Sequence, residues 1–174
     1  MISKLVNIKD NNLKPKWFLR QAGRHIPEYY LIRNQHKDFM DFCFNENSII
    51  EATMLPTKIY NIDAAILFSD ILIIPHCLGQ NVTFKKNLGP ILKQIEINHD
   101  FLKTNINFNL LNPIKNAIIQ IKKLLPITKD LIGFCGAPWT LACYMIEGGS
   151  SKDFIKTRKF LWNDEVSFTK LINK

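Results

Sequence analysis

No apolar run in this chain approaches the roughly 18–20 residues that a membrane span needs. The longest, Ala64 to Pro75, is interrupted by Ser69 and Asp70. Met1–Asn12 lacks the compact apolar stretch of a secretory signal. The four cysteines, Cys43, Cys77, Cys135 and Cys143, form no C-x-x-C pair, and no His/Cys pair has zinc-finger spacing. His25, His36, His76 and His99 form no ligand pattern either, so no metal is assigned. Without a signal peptide, the cysteines read as reduced thiols of a cytoplasmic protein, three of them in apolar, core-like surroundings. Repeats, linkers and low-complexity segments are absent too.

Arginine is also scarce, with 4 residues against 19 lysines, while isoleucine (25) and asparagine (17) abound. That pattern points to a coding bias toward Ile, Asn and Lys, which inflates the net charge of +8. Basic residues are scattered, with no run beyond Lys85-Lys86 or Lys122-Lys123. No basic-aromatic RNA signature or helix-turn-helix spacing accompanies them, so nucleic-acid binding would rest on charge alone. Against this background, Arg20, Arg24 and Arg33 fall within 14 residues. Arginine offers a planar fork that grips carboxylate or phosphate bidentately, where lysine offers a point charge. The cluster reads either as an anion-binding lip or as surface ion pairs.

What remains is an ordinary globular composition, 47% hydrophobic and 22% charged over 174 residues. One domain with a substantial core, 1–174, is expected. Lys16–Gln21 reads as a short strand ending at Ala22-Gly23. Pro27 opens a helix to about Phe44, and Asn45-Glu46-Asn47 caps another over 46–60, bent or ended by Pro56. Asp63–Asp70 is a continuous apolar run closed by a carboxylate, the pattern of a parallel strand covered on both faces. Val82–Lys85 and Gln94–Ile97 read as weaker strands around the turn Leu88-Gly89-Pro90. Pro113–Leu125 is a helix with apolar residues near a 3.6 period, and Leu131–Gly136 a second buried strand. A helix at 138–147 follows, then a Gly148-Gly149 turn, then one or two helices from Lys152. Gly148-Gly149-Ser150-Ser151 lacks the lysine-serine pair of a phosphate loop and reads as a helix end followed by a cap. Trp17 and Trp139 read as packing residues.

Alternating strands and helices imply a parallel sheet with helical crossovers, an α/β fold of the (β/α)₈ type. In such folds chemistry gathers at the carboxyl ends of strands. Three places qualify: Arg20–Arg24, Asp70 and Gly136–Thr140.

Three blocks then carry a resemblance. W-F-L-R-Q-A-G-R-H-I-P-E-Y at Trp17–Tyr29, D-A-A-I-L-F-S-D-I-L at Asp63–Leu72 and G-F-C-G-A-P-W-T-L-A-C-Y-M-I-E-G-G-S-S-K at Gly133–Lys152 resemble the signature blocks of the uroporphyrinogen decarboxylase family, in order. The resemblance implies a TIM barrel, usually homodimeric and roughly twice this length. Residues 1–174 would then be its amino-terminal half, a partial barrel. The family's later hydroxyl and histidine substrate contacts have no counterpart here.

The implied reaction removes carbon dioxide from the four acetate arms of uroporphyrinogen III, giving coproporphyrinogen III in haem biosynthesis. No cofactor is implied, because a protonated pyrrole is its own electron sink. Asp70 would accept hydrogen bonds from pyrrole N–H groups and stabilise the developing ring cation; otherwise it is a helix N-cap after a strand. Arg20 and Arg24 would clamp carboxylates. Delivering the ring proton is a further role for one of them, although a pKa above about 12 makes arginine a poor acid. Gln21, Ala22 and Gly23 lie between them, the glycine permitting a tight turn and close backbone approach. Tyr144 would hydrogen-bond the Asp70 carboxylate, with core packing as its alternative. Arg33 would reach an outer carboxylate or sit on a solvated helix face.

This chain departs from the family at His25 (usually tyrosine), Tyr30 (usually arginine) and Leu55 (usually glutamine). The isolated half is expected to have little decarboxylase activity and to need a second chain. A decayed remnant is the alternative. A corrinoid-related methyltransferase of the same superfamily fits less well, since a zinc ligand set is missing.

Overall fold

The computed structural model describes residues 14–85 and 88–174. The Met1–Asn12 segment and Lys86 of the Lys85-Lys86 pair lie outside the described residues. The fold is mixed α/β and divides into two compact units, one of residues up to Ser69 with Leu111–Phe134, the other of Asp70–Leu110 with Cys135–Lys174.

The first unit is built on a parallel strand pair, β1 (Ala64–Ile66) and β4 (Asp130–Ile132). Ala64, Ala65 and Ile66 register with Asp130, Leu131 and Ile132. The strands are shorter than the apolar runs suggest, because Leu67 N makes the last backbone bond to β4 and the chain from Phe68 turns to a side-chain partner. Thr53 Oγ1 accepts from Phe68 N at 2.9 Å, and the same hydroxyl donates to Ile49 O at 2.7 Å. Thr53 lies on α3 (Glu46–Ile59), so one buried hydroxyl fastens the strand exit to a helix.

Asn45 caps α3 as expected, its side chain accepting from Ser48 N. Pro56 neither breaks nor immediately ends the helix, since it sits in the last turn, three residues before Ile59. The expected helix from Pro27 to Phe44 is two helices, α1 (Pro27–Arg33) and α2 (Phe39–Cys43). Asp38 makes the break: its extended backbone and side chain, which accepts from Asp41 N, restart the helix. Packed aromatics fill the core between these helices, with Phe42 and Phe68 centroids 4.3 Å apart. The fourth helix of the unit, α6 (Asn112–Leu124), packs on α3 through Ile114, Ala117 and Ile121.

No strand forms at Lys16–Gln21. The segment is tied to β1 by other means: Asp63 N donates to Lys16 O at 2.8 Å, Lys16 N to Asp63 Oδ2 at 2.7 Å, and the Gln21 amide replaces a backbone ladder.

In the second unit β2 (Val82–Lys85) and β3 (Gly89–Leu92) form an antiparallel hairpin. The expected strand at Gln94–Ile97 is therefore displaced to Gly89–Leu92, because Gly89, with φ of 78°, pairs with Lys85 directly after the turn. Two short helices unforeseen in the sequence, α4 (Ile73–Cys77) and α5 (His99–Lys103), flank it. α7 (Pro138–Glu147) packs against α8 (Ile155–Asn163) and α9 (Glu165–Ile172). Gly148 ends α7 in the left-handed region at φ 82°, and Ser151 Oγ accepts from Phe154 N. Gln80, 1% exposed, donates to Lys93 O and Met145 O, joining the hairpin exit to α7. Trp139 packs on Phe168, with ring centroids 5.6 Å apart, while 41% exposed, and Trp17 is 42% exposed. Cys43, Cys77 and Cys143 are buried, Cys135 is exposed, and all four are free.

Candidate functional site

The arginine block occupies the irregular segment before α1. Its anchor is Gln21, 4% exposed. Nε2 donates to Ala64 O at 2.8 Å, and Oε1 accepts from Ile66 N at 2.9 Å. One side chain thus completes the outer edge of β1, as a neighbouring strand would. Both polar atoms of Gln21 are committed to the fold. Around this anchor the chain turns, Ile26 N donating to Gly23 O at 3.0 Å, and Ile26 is buried.

Arg20 and Arg24 flank the anchor and are both exposed. Among the described residues neither forms an ion pair. Ala22 and Gly23 are half-buried. Gly23 does not need glycine's conformational freedom. An added Cβ would meet His25 Nδ1 at 3.6 Å, an ordinary contact, and the backbone is outside the left-handed region. His25 stacks at 6.4 Å on Tyr60.

Arg33 ends α1. Its Nη1 donates to His36 O at 3.1 Å, and its guanidinium lies 5.9 Å from the Phe39 ring. The half-buried side chain therefore closes the turn into α2.

One network here escaped the sequence reading. His36 Nδ1 lies 3.1 Å from Asp41 Oδ2, and its Nε2 lies 2.7 Å from Ser48 Oγ. The order of groups is that of a hydrolytic triad, but Ser48 is 6% exposed and the imidazole is stacked on Phe42. Its geometry ties α2 to α3. A seven-residue separation between Asp41 and Ser48 across a capping Asn45 was the available signal, and no local rule singles it out.

In the second unit Asp70 is half-buried, and its Oδ1 accepts from Leu72 N at 2.8 Å. This is a local turn ahead of α4, close to the capping alternative. Burial pushes the carboxyl above the ordinary carboxylate range, and the Leu72 hydrogen bond opposes that rise. Ile71 packs against Gly136, where an added Cβ would lie 3.2 Å from Ile71 Cβ and 2.6 Å from Leu141 Cδ2. Gly136 thus lets the chain after β4 close against the residue next to Asp70. Tyr144 is half-buried on α7, and no hydrogen bond joins its hydroxyl to Asp70. Among the described residues, the hydrogen bond that Asp70 accepts comes from the Leu72 backbone.

Among the described residues no three His, Cys, Asp or Glu groups gather as a metal site, and no helix is long and apolar enough to cross a membrane.

The family described as Uroporphyrinogen decarboxylase (URO-D) matches residues 3–174. Curated uroporphyrinogen decarboxylases of Rickettsia felis and Rickettsia canadensis are each 46% identical over 167 and 169 residues. Each alignment covers 95% of this chain, and 48% and 50% of the respective relative. The chain spans about half the length of the curated relatives it matches. Among solved structures, a methyltransferase from Methanosarcina mazei superposes with a TM-score of 0.65 at 14% identity, covering 91% of this chain and 46% of that one. At that identity the likeness concerns the fold.

Proposed function

The chain belongs to the uroporphyrinogen decarboxylase family, and on that premise we propose that it supplies half of a cofactor-free decarboxylase acting on the acetate arms of uroporphyrinogen III. The observation that carries this reading is the pair of exposed arginines, Arg20 and Arg24, held by a buried Gln21 and unpaired among the described residues. A substrate with eight carboxylates needs such groups, and the net charge of +8 favours its approach. In this reading Arg20 and Arg24 clamp carboxylate arms, Gln21 holds their segment to β1, and Ala22 and Gly23 bring the backbone past the ligand. Arg33, bonded through Nη1 to His36 O, offers its remaining guanidinium N–H groups to an outer carboxylate.

Asp70 receives the pyrrole N–H groups. A partly desolvated carboxylate is costly to ionise alone, and donors arriving with the ligand lower that cost. Once ionised, it stabilises the cationic ring formed when a ring carbon is protonated. That ring accepts the electron pair released as the acetate C–C bond breaks and carbon dioxide leaves. A proton then adds to the exocyclic carbon, the ring proton departs, and each arm becomes a methyl with net uptake of one proton. Tyr144 supports Asp70 in this scheme after a side-chain rotation.

The parallel β1–β4 pair, with helices between its strands in sequence, supports a (β/α)₈ barrel as the complete fold. The rest of the barrel comes from the half of the family's length that this chain does not span, and the isolated chain has little turnover. Four free thiols fit a reducing, cytoplasmic setting.

Uroporphyrin, the stable oxidised octacarboxylate, tests the clamp by fluorescence titration of the 174-residue chain. Saturable binding should weaken at least 10-fold in Arg20→Ala/Arg24→Ala, about 1.4 kcal/mol or more, and fall with added salt. Equal affinity of the double variant, or equal affinity for the octamethyl ester, would defeat the reading.

A further inference from the structure

We propose that the Tyr29 hydroxyl is a further substrate-binding group, a neutral donor that takes one carboxylate arm in concert with Arg24 and Arg33. The inference rests on the carboxylate-clamp reading above and adds a residue to which that reading gives no role.

Tyr29 stands on α1 four residues before Arg33, a spacing that puts the two on one face of the helix. Its ring is packed on three aromatics, with centroids 5.7 Å from Phe42, 6.0 Å from Phe68 and 6.2 Å from Tyr30. Phe68 follows the end of β1 by two residues. The cluster therefore lies at the carboxyl end of that strand, where parallel α/β folds gather their chemistry. Phe39 joins Phe68 at 6.2 Å, and the Arg33 guanidinium lies over the Phe39 ring. Tyr29 is 7% exposed in this setting.

Packing accounts for the ring and not for the hydroxyl. A buried phenol ordinarily finds a hydrogen-bond partner, because an unmet polar group costs free energy. Among the described residues the Tyr29 hydroxyl makes no hydrogen bond. It keeps a path to solvent, since it is not one of their fully enclosed polar atoms that lack a partner. Burial raises its pKa above the ordinary phenol value, and Cys43 acts the same way, while the charges of Arg33 and Arg24 pull it down. The net rise keeps the proton on the phenol at neutral pH, so the group is a donor. The two guanidinium charges act on the same hydroxyl, and so on any acceptor bound to it. A carboxylate meets all three groups at once, through charge-assisted bonds of the strong kind. An acetate or propionate arm is slender enough for the narrow access, where the macrocycle is not.

Tyr29→Phe keeps the ring and removes the donor. In the fluorescence titration of the 174-residue chain with uroporphyrin, it should weaken binding about 10-fold. The octamethyl ester should bind the variant as it binds wild type. The thermal midpoint should not fall, because no bond within the protein is lost. Combined with Arg24→Ala, the loss should be smaller than the product of the two single losses, since both groups hold one arm; combined with Arg20→Ala, the full product should be reached. Unchanged uroporphyrin affinity in Tyr29→Phe, an equal fall for the ester, or a full product with Arg24→Ala would overturn the proposal. If Arg20→Ala/Arg24→Ala weakens uroporphyrin binding and Tyr29→Phe does not, this proposal alone fails; if neither does, the clamp reading fails with it.

Discussion

Replacing Gln21 by methionine should destabilise the chain although the two side chains are nearly equal in volume. The wild-type amide makes two hydrogen bonds, at 2.8 Å to Ala64 O and 2.9 Å to Ile66 N, from a position 4% exposed. Methionine fills the space and satisfies neither group. A buried donor or acceptor left without a partner costs about 1–3 kcal/mol, so Gln21→Met should lose roughly 2–6 kcal/mol once both groups are counted. Gln21→Ala should lose as much or more, since it adds a cavity. Urea unfolding followed by far-ultraviolet circular dichroism, at pH 7 without ligand, measures the difference; the denaturant slope should stay constant. If Gln21→Met lies within about 0.5 kcal/mol of wild type, the range of an ordinary surface change, the strand-edge role of this amide is wrong. A loss confined to ligand binding would return Gln21 to direct substrate contact.

Thr53→Val should cost about 1–3 kcal/mol in the same assay, because Phe68 N loses its buried acceptor. Gly148→Ala should lower the thermal midpoint by an amount set by roughly 1 kcal/mol of left-handed strain, aggravated by a Cβ 3.2 Å from Leu92 O. Asp70 gives a pH signature. Its carboxyl is raised by burial, so its contribution to stability is present below the ordinary carboxylate pKa and lost as pH rises through the folded value. Asp70→Asn should therefore melt higher than wild type at pH 7, and the gap should close in acid; an equal gap at both pH values refutes the burial argument. Uroporphyrin affinity should move the other way in the wild-type chain, falling as acid protonates Asp70.

Much of the helical framework was legible because its signals are local. Asn45 capping α3, Pro138 opening α7 and Gly148 closing it each act within one turn. Three of the four cysteines are buried, the number their apolar neighbours suggested. The α1–α2 break lies inside the span Pro27–Phe44 expected as one helix, at Asp38, a capping residue type that the helical pattern did not single out. Lys16–Gln21 was read as a strand because its position is strand-like, but its hydrogen bonds run through a side chain, and sequence pattern does not distinguish the two. The family blocks located Arg20, Arg24 and Asp70. They did not reveal that Gln21 is consumed by β1, that Arg33 bonds His36, or that Asp70 takes its hydrogen bond from Leu72. Those are long-range or turn-specific partnerships, invisible to periodicity and composition.

Turnover bears most directly on the central claim, that the acid at position 70 supports a cationic pyrrole while arginines hold the carboxylate arms. Coproporphyrinogen production would be measured from a complex of this chain, wild type or Asp70→Asn, co-expressed with the half of the Rickettsia felis relative that it does not span. A fall of at least 100-fold, about 2.7 kcal/mol at the transition state, with the complex still assembled, is the predicted result. Undiminished turnover by an assembled Asp70→Asn complex would contradict it.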